Sequence, residues 1–291
     1  MKTLGSLYVV ATPIGNLEDI TLRALRILNE ADLIAAEDTR VTRRLLSRYN
    51  IQTKLISFHD KNQKQKIPYI INALSVGDVA LVSDAGTPVL NDPGYSLLTA
   101  AQKYSIPTVP IPGPSALTAT ISVSSVPTNQ FIFLGFLPKK QKQRQRELRE
   151  LLTERRSLIM FESPFRVLST LNDIFEVFGD RSLCISRELT KYHEEVFNGK
   201  ISEAITHFQR PIGEFSLVLA GYTEPQIAIE TGAVIEALLG FRRQGRGAKE
   251  SASEISLSSN FSRREIYRMW HELPPITKLV KETPKIDKKK F

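Results

Sequence analysis

Val79-Ala80-Leu81-Val82-Ser83-Asp84-Ala85-Gly86-Thr87-Pro88 decides the reading of this chain: four consecutive apolar residues run straight into a turn of small residues, glycine and proline. A short unbroken apolar run bounded by turn residues predicts a strand buried on both faces, as in a parallel sheet. The arrangement recurs where Leu7-Tyr8-Val9-Val10 enters Ala11-Thr12-Pro13-Ile14-Gly15-Asn16, and where Val109-Pro110-Ile111 enters Pro112-Gly113-Pro114-Ser115-Ala116. Ligands of open α/β sheets bind outside the carboxyl ends of the strands, and small residues there let backbone approach a ligand. Three such turns predict one shared pocket.

Working outward, strand-like runs at 7–11, 33–36, 55–58, 79–83 and 108–111 alternate with helical patterns, which reads as βαβα. One helix carries Leu22, Leu25 and Leu28 at threefold spacing, a stripe that would cover a sheet face. Others are predicted at 39–49, 64–75, 94–104 and 115–124, covering both faces of a mostly parallel sheet. A second α/β region follows, with strands near 157–161, 183–187 and 215–220 and a helix over 167–178. Between the two lies a charged helix over 139–156, with eight basic and three acidic side chains that face either water or a polyanion. The expected domains are 1–125, 126–222 and 223–291, with Thr223-Glu224-Pro225-Gln226 as a linker.

The last region is small and helical. Ser251-Ala252-Ser253-Glu254 and Ser262-Arg263-Arg264-Glu265 both have the spacing of a capping box, predicting two helix starts eleven residues apart. They fit either a helix-turn-helix, with Arg263, Arg264 and Arg268 on its second helix, or a plain helical hairpin.

The 291 residues carry a formal net charge of +8, unevenly placed: residues 1–239 hold 26 basic against 25 acidic side chains, and residues 240–291 hold 13 against 6. The basic end suggests a polyanionic partner, most simply nucleic acid, or else a solvated tail. The one cysteine, Cys184, lies in an apolar run and reads as a buried small hydrophobe. No segment approaches a membrane span, and a cytoplasmic location is expected.

The chemistry narrows by exclusion. Neither G-x-x-x-x-G-K-[ST] nor G-x-G-x-x-G is present, so a P-loop kinase and a standard Rossmann dehydrogenase are disfavoured. His59, His193, His207 and His271 have no cysteines at zinc spacing, and no metal is expected. No G-x-S-x-G elbow marks a serine hydrolase. Backbone-rich turns with carboxylates at Asp84, Glu37-Asp38 and Glu162 suit an adenosine-containing ligand. Asp84 also reads as a turn or helix cap at this point.

The motifs ATPIGN (11–16), AEDTR (36–40), SDAGTP (83–88), DPG (92–94), PGPSA (112–116), FESPFR (161–166) and RELTK (187–191) occur in this order. Together they resemble those of the RsmI family, bacterial 16S ribosomal RNA cytidine 2′-O-methyltransferases of the tetrapyrrole methylase superfamily. The resemblance spans about residues 5–221, and the stretch 58–62 departs from the family's pattern. It implies two α/β domains of the tetrapyrrole methylase type with a cofactor cleft between them, plus the small C-terminal helical unit. It also implies S-adenosylmethionine as cofactor, a homodimer, and methylation of a decoding-centre cytidine in the 30S subunit.

Carried over by position, cofactor contacts are expected from Pro13, Ile14, Gly15, Ser83, Asp84, Ala85, Gly86, Pro88, Pro112, Gly113, Ser115, Ala116, Phe161, Glu162 and Glu214. Candidates to accept the hydroxyl proton are Glu37, Asp38, Glu188 and Lys191, with Glu195 beside them. Two other readings stand: a precorrin-type tetrapyrrole methyltransferase, disfavoured by the basic end and the ATPIGN and AEDTR motifs, and a non-catalytic ribosome-assembly protein.

Overall fold

A computed structural model describes residues 4–224 and 230–274. The linker residues Pro225 and Gln226 and the lysine-rich end from Lys278 lie outside the described residues. The chain divides into two compact units, one ending at Tyr222 and the other beginning at Thr223.

In the first unit, β1 (Leu7–Val10), β2 (Leu33–Ala36), β3 (Leu55–Ser57), β4 (Val79–Val82) and β5 (Thr108–Ile111) form one sheet. Its order is β3-β2-β4-β1-β5, and every pairing is parallel. The apolar runs are continuous because alternate residues serve opposite faces. Ile34, Ala36, Ala80 and Val82 pack with Ala24, Ile27 and Leu28 of α1 (Leu22–Glu30) and Leu45 and Leu46 of α2 (Thr39–Arg48). Leu33, Ala35, Val79 and Leu81 pack with Ile70 and Leu74 of α3 (Gln63–Leu74) and Leu97 and Ala101 of α4 (Tyr95–Lys103). Leu22, read from sequence as part of the buried stripe, is instead 86% exposed. It is the first helical residue, and the buried face starts at Ala24.

The second sheet is mixed. Its order is β6 (Phe131–Phe136), β7 (Ser157–Glu162), β10 (Phe215–Leu219), β8 (Ser182–Arg187), β9 (Glu195–Lys200). β6 runs parallel to β7, whereas β10 is antiparallel to both its neighbours and β9 is antiparallel to β8. One face packs on α7 (Val167–Phe178) and α8 (Ile201–His207), through Leu171, Ile174 and Ala204. The other face buries Ile159, Cys184 and Val218 against Leu117 and Ile121 of α5 (Ala116–Val123). Thus α5, which follows the last strand of the first sheet, covers the second.

The charged helix is shorter than 139–156. α6 spans Gln141–Glu150 and closes with tightened bonds, Leu151 N–H to Leu148 C=O at 3.0 Å and Glu154 N–H to Leu151 C=O at 3.0 Å. Nor are all its cations solvated. Arg144 is buried in an ion pair with Asp173 of α7, and Gln141 and Gln145 donate to the same carboxylate at 2.9 and 2.8 Å.

In the second unit, α9 (Thr231–Arg243), α10 (Ala248–Ser258) and α11 (Arg263–Glu272) enclose Val234, Leu238, Ala252, Ile255, Ile266 and Trp270. The capping box at Ser262 and Glu265 is formed. The one expected at Ser251 and Glu254 is not. α10 already starts at Ala248, and the Ser251 hydroxyl, inside the helix, donates to the Gly247 carbonyl at 2.9 Å. The two starts are therefore fifteen residues apart, at Ala248 and Arg263. No helix of the described residues is long and apolar enough to cross a membrane.

Candidate functional site

The turns that follow β1, β4 and β5 converge. Thr12 and Gly86 exchange two backbone hydrogen bonds of 2.9 Å, fastening the ATPIGN turn to SDAGTP, and the Thr87 hydroxyl donates to Pro114 C=O at 3.3 Å. Gly86 has φ +80°, a conformation that glycine adopts without steric cost. These contacts and the ends of β7 and β10 frame a cavity of about 490 Å³, within the range of small-molecule sites.

Ten of the residues expected from sequence line it: Ile14, Glu37, Asp84, Ala85, Gly86, Ser115, Ala116, Phe161, Glu162 and Glu214. Thr87, Leu90, Asn91, Asp92, Phe136, Ser163, Pro164, Phe215 and Ser216 complete the lining. Pro13, Gly15, Ser83, Pro88, Pro112 and Gly113 are not among its lining residues. Ser83 and Pro88 are buried behind the SDAGTP turn, and Gly113 lines a neighbouring groove with Ile14, Ser115 and Thr190. Gly15 serves a different contact: a Cβ there would lie 2.5 Å from Lys191 Cγ and 2.7 Å from Thr190 Oγ1. The neighbouring Asn16 amide donates to Thr190 Oγ1 at 3.0 Å, so the first turn is clasped by the loop after β8.

One wall is acidic. Asp84 accepts from the Asp38 amide at 2.8 Å, and the Asp84 amide points to Glu37 Oε2 at 3.4 Å. Burial, followed by the Asp92 charge, pushes the Glu37 carboxyl up. Burial also raises Asp84, against the hydrogen bond from the Asp38 amide; the Asp38 charge raises it and the Arg40 charge lowers it to smaller extents. Asp92 is pushed up to about 6 by burial and by the charges of Asp84 and Asp60, against a hydrogen bond from Ser83. Asp38 behaves oppositely. Its carboxylate caps α2 and is gripped by Arg40, which holds it down at about 2.

The loop presenting Asp92 is strained. Val89 and Asn91 have φ of +75° and +66°, and a β-branched residue in that region is an outlier costing about 1–3 kcal/mol. Asn91 also lies against Gly135, whose φ of +63° marks a bulge in β6. Asp92 belongs to the DPG motif, whose local sequence does not place it in the site.

Opposite, Glu162 is 2% exposed and fully engaged: it accepts from the Ser163 amide at 2.8 Å and the Thr170 hydroxyl at 2.7 Å, and pairs with Arg166 at 3.1 Å. Its carboxylate thereby shapes the turn after β7. Lys191 reaches Glu188 at 2.8 Å and Glu214 at 3.0 Å. Burial opposes both charges, but these bonds leave Glu188 below and Lys191 above their ordinary values. Glu195 is engaged elsewhere, with Arg187 at 2.7 Å and His207 at 2.5 Å.

Apolar walls (Ile14, Leu90, Phe136, Phe161) suit a planar ring, and uncompensated carboxylates suit a cation or a hydroxyl. Among the described residues no cluster of histidine, cysteine and carboxylate could hold a metal ion.

The profile of the tetrapyrrole (corrin/porphyrin) methylases matches residues 6–205. The chain is similar to ribosomal RNA small subunit methyltransferase I of Thermotoga maritima, 52% identical over 221 residues, covering 75% of this chain and 99% of that protein. The same-named protein of Halalkalibacterium halodurans is 41% identical over 276 residues, 92% of this chain and 95% of that one. Among solved structures, diphthine synthase superposes with a TM-score of 0.58 at 15% identity, covering 74% of this chain and 90% of its own. Uroporphyrin-III C-methyltransferase from Thermus thermophilus, complexed with S-adenyl homocysteine, gives 0.54 at 17%, covering 74% and 97%. These two likenesses are of fold.

Proposed function

Because the chain belongs to the tetrapyrrole (corrin/porphyrin) methylase family, we propose that it transfers the methyl group of S-adenosylmethionine to the ribose 2′-hydroxyl of a decoding-centre cytidine in 16S rRNA. The observation that carries the reading is the 52% identity, over 99% of its length, to a protein named a ribosomal RNA small subunit methyltransferase. The S-adenyl homocysteine in a structure of the same fold supports the cofactor. A homodimer in the cytoplasm accompanies this reading. So does a division of the first unit into lobes, 1–125 and 126–222, that hold the cofactor between them.

The cavity fits that cofactor chemically. When bound, S-adenosylmethionine supplies an electrophilic methyl on a cationic sulfonium. Ile14, Phe136 and Phe161 offer apolar surface for the adenine, and the turns at Ala85-Gly86 and Ser115-Ala116 bring backbone close. Glu37, Asp84 and Asp92 concentrate negative charge that a cationic ligand relieves. Product, having lost the charge, leaves these carboxylates repelling one another again, which favours its release.

The acceptor hydroxyl must lose its proton, and the groups expected from sequence now divide. Asp38 and Glu188 are held down by cations, and Lys191 is held as an ammonium, so all three are poor proton acceptors. Glu37 and Asp92, raised and without a cation, are the better bases, since a base works best when its pKa lies near the operating pH. Positioning of the hydroxyl by the loops around the cavity supplies the remaining acceleration, of which alignment alone can give about 7–11 kcal/mol. Incubation with labelled S-adenosylmethionine and 30S particles tests the reading: label is expected in the 16S rRNA, and its absence contradicts the proposal.

A further inference from the structure

We propose that the outward face of α11 is an RNA-binding surface, with Arg264, Tyr267, Arg268 and His271 as its contact residues and the small-subunit rRNA as its occupant. The inference rests on the rRNA reading above but concerns a second surface, in the C-terminal unit.

The four residues stand at i, i+3, i+4 and i+7, so they share one face of the helix. All four are exposed, while Ile266 and Trp270 turn inward to the core of the unit. Tyr267 and His271 contact each other with ring centroids 4.8 Å apart, tilted by 60°, forming a two-ring surface beside the arginines. Arg264 has no ion pair among the described residues, and Arg268 sees only the nearby charge of Glu265, itself held by the Ser262 cap. The helix is fixed at both ends. Ser262 and Glu265 cap its start, and Arg242 lies over the Trp270 ring at 4.9 Å while donating to the Trp270 and Leu273 carbonyls at 3.1 and 3.0 Å.

Other arginines are spent within the fold. Arg246 is taken up by Glu250 and Glu254, and in the first unit Arg144 is buried against Asp173. Unpaired arginines flanking aromatic rings offer phosphate contacts and stacking surfaces together, the combination that RNA recognition uses. The excess of basic over acidic side chains across residues 240–291, 13 against 6, adds the long-range attraction.

The test uses the full chain and measures binding to naked 16S rRNA and to 30S particles over a range of salt, alongside methyl transfer and calorimetric cofactor affinity. R264Q/R268Q is expected to weaken RNA binding at least about tenfold and to lower the log–log salt slope by about 1.4–1.8, at roughly 0.7–0.9 per lost phosphate contact. Y267A is expected to weaken binding about tenfold with the slope unchanged, because stacking releases no counterions. Cofactor affinity and unfolding temperature should stay at the wild-type values in both variants. Wild-type affinity and slope in the variants would overturn the proposal. So would weakened binding to 30S particles with unchanged binding to naked rRNA, which would make the occupant a ribosomal protein. A failure of the catalytic reading is separate: the wild type would transfer no methyl group, while its RNA binding still responded to these substitutions.

Discussion

Two groups of carboxylates in the first unit have opposite electrostatics. Glu37, Asp84 and Asp92, which follow strands of the first sheet, crowd together with no ion pair to any of them among the described residues; burial raises all three, and the charges of their neighbours in the group raise Glu37 and Asp92 further. Glu188 and Glu214, from the second sheet, share Lys191, and Glu188 is held low. The difference is one of partner, not residue type. A group already compensated fastens the fold, whereas one left uncompensated in a cavity stores an interaction for a ligand. Glu188 and Lys191 accordingly flank Thr190, which bonds Asn16 in the clasp, while the first group lines the cavity wall together with Glu214.

Four substitutions break or sharpen this contrast. The largest effect is expected from D92N. Loss of a general base lowers kcat by about 10²–10⁴-fold, with cofactor affinity reduced far less. In the wild type, kcat/KM should fall on the acid side of about pH 6, because the working form is the carboxylate and protonation at about 6 removes it. A D92N enzyme that retained both its rate and that acid limb would take Asp92 out of the reaction. K191M, from the compensated group, should leave the limb in place.

Next comes D84A, which removes the acceptor for the Asp38 amide and one of the three negative charges. Calorimetry should show S-adenosylmethionine bound about 10- to 100-fold more weakly, the range for a hydrogen bond to a charged group. Unchanged affinity would return Asp84 to the role of a turn cap.

G15A strikes the clasp instead. Its Cβ would press on Lys191 and Thr190 at 2.5 and 2.7 Å, and overpacking of this kind costs about 1–3 kcal/mol. The loss should appear in the denaturation midpoint; a midpoint like that of the wild type would mean the loop moves aside freely.

The smallest effect concerns stability and has the opposite sign. Asp92, raised from 3.8 to about 6 in the folded chain, binds its proton more tightly folded than unfolded. Stability from this group therefore increases as pH falls from about 6 towards 4, and at neutral pH the group is a penalty. D92N should raise neutral-pH stability by on the order of 1 kcal/mol, after allowance for solvent screening of a half-buried group. The variant expected to lose most activity should thus be slightly more stable, and a lower denaturation midpoint would argue against the crowding.

Much of this was legible in the sequence where one residue's neighbours decide its place. The five parallel strands announce themselves as short apolar runs, and the glycine- and proline-bearing turns that follow β1, β4 and β5 meet at the cavity as the pattern implies. β9 was hidden because it is an edge strand, Glu195-Val196-Phe197-Asn198-Gly199-Lys200, whose polar residues and glycine dilute the strand signal. Ser251 misled because a serine three residues before a glutamate fits a capping box equally well inside a helix. Asp92 and Phe136 could not be placed from local pattern. They reach the cavity through the strained 89–94 turn and the bulge at Gly135, which bring together residues as distant in sequence as Glu37 and Glu214. Lys191 was named for the right neighbourhood, but only its two carboxylate partners reveal that its charge is fixed.

The most direct test of the central claim is transfer of labelled methyl from S-adenosylmethionine to three acceptors offered in parallel: unmethylated 30S particles, naked 16S rRNA and a tetrapyrrole precursor, with nuclease digestion of the labelled product. The account predicts label in the 30S sample, recovered as 2′-O-methylcytidine. Label confined to the tetrapyrrole, or no transfer to any acceptor despite measurable cofactor binding, would contradict it.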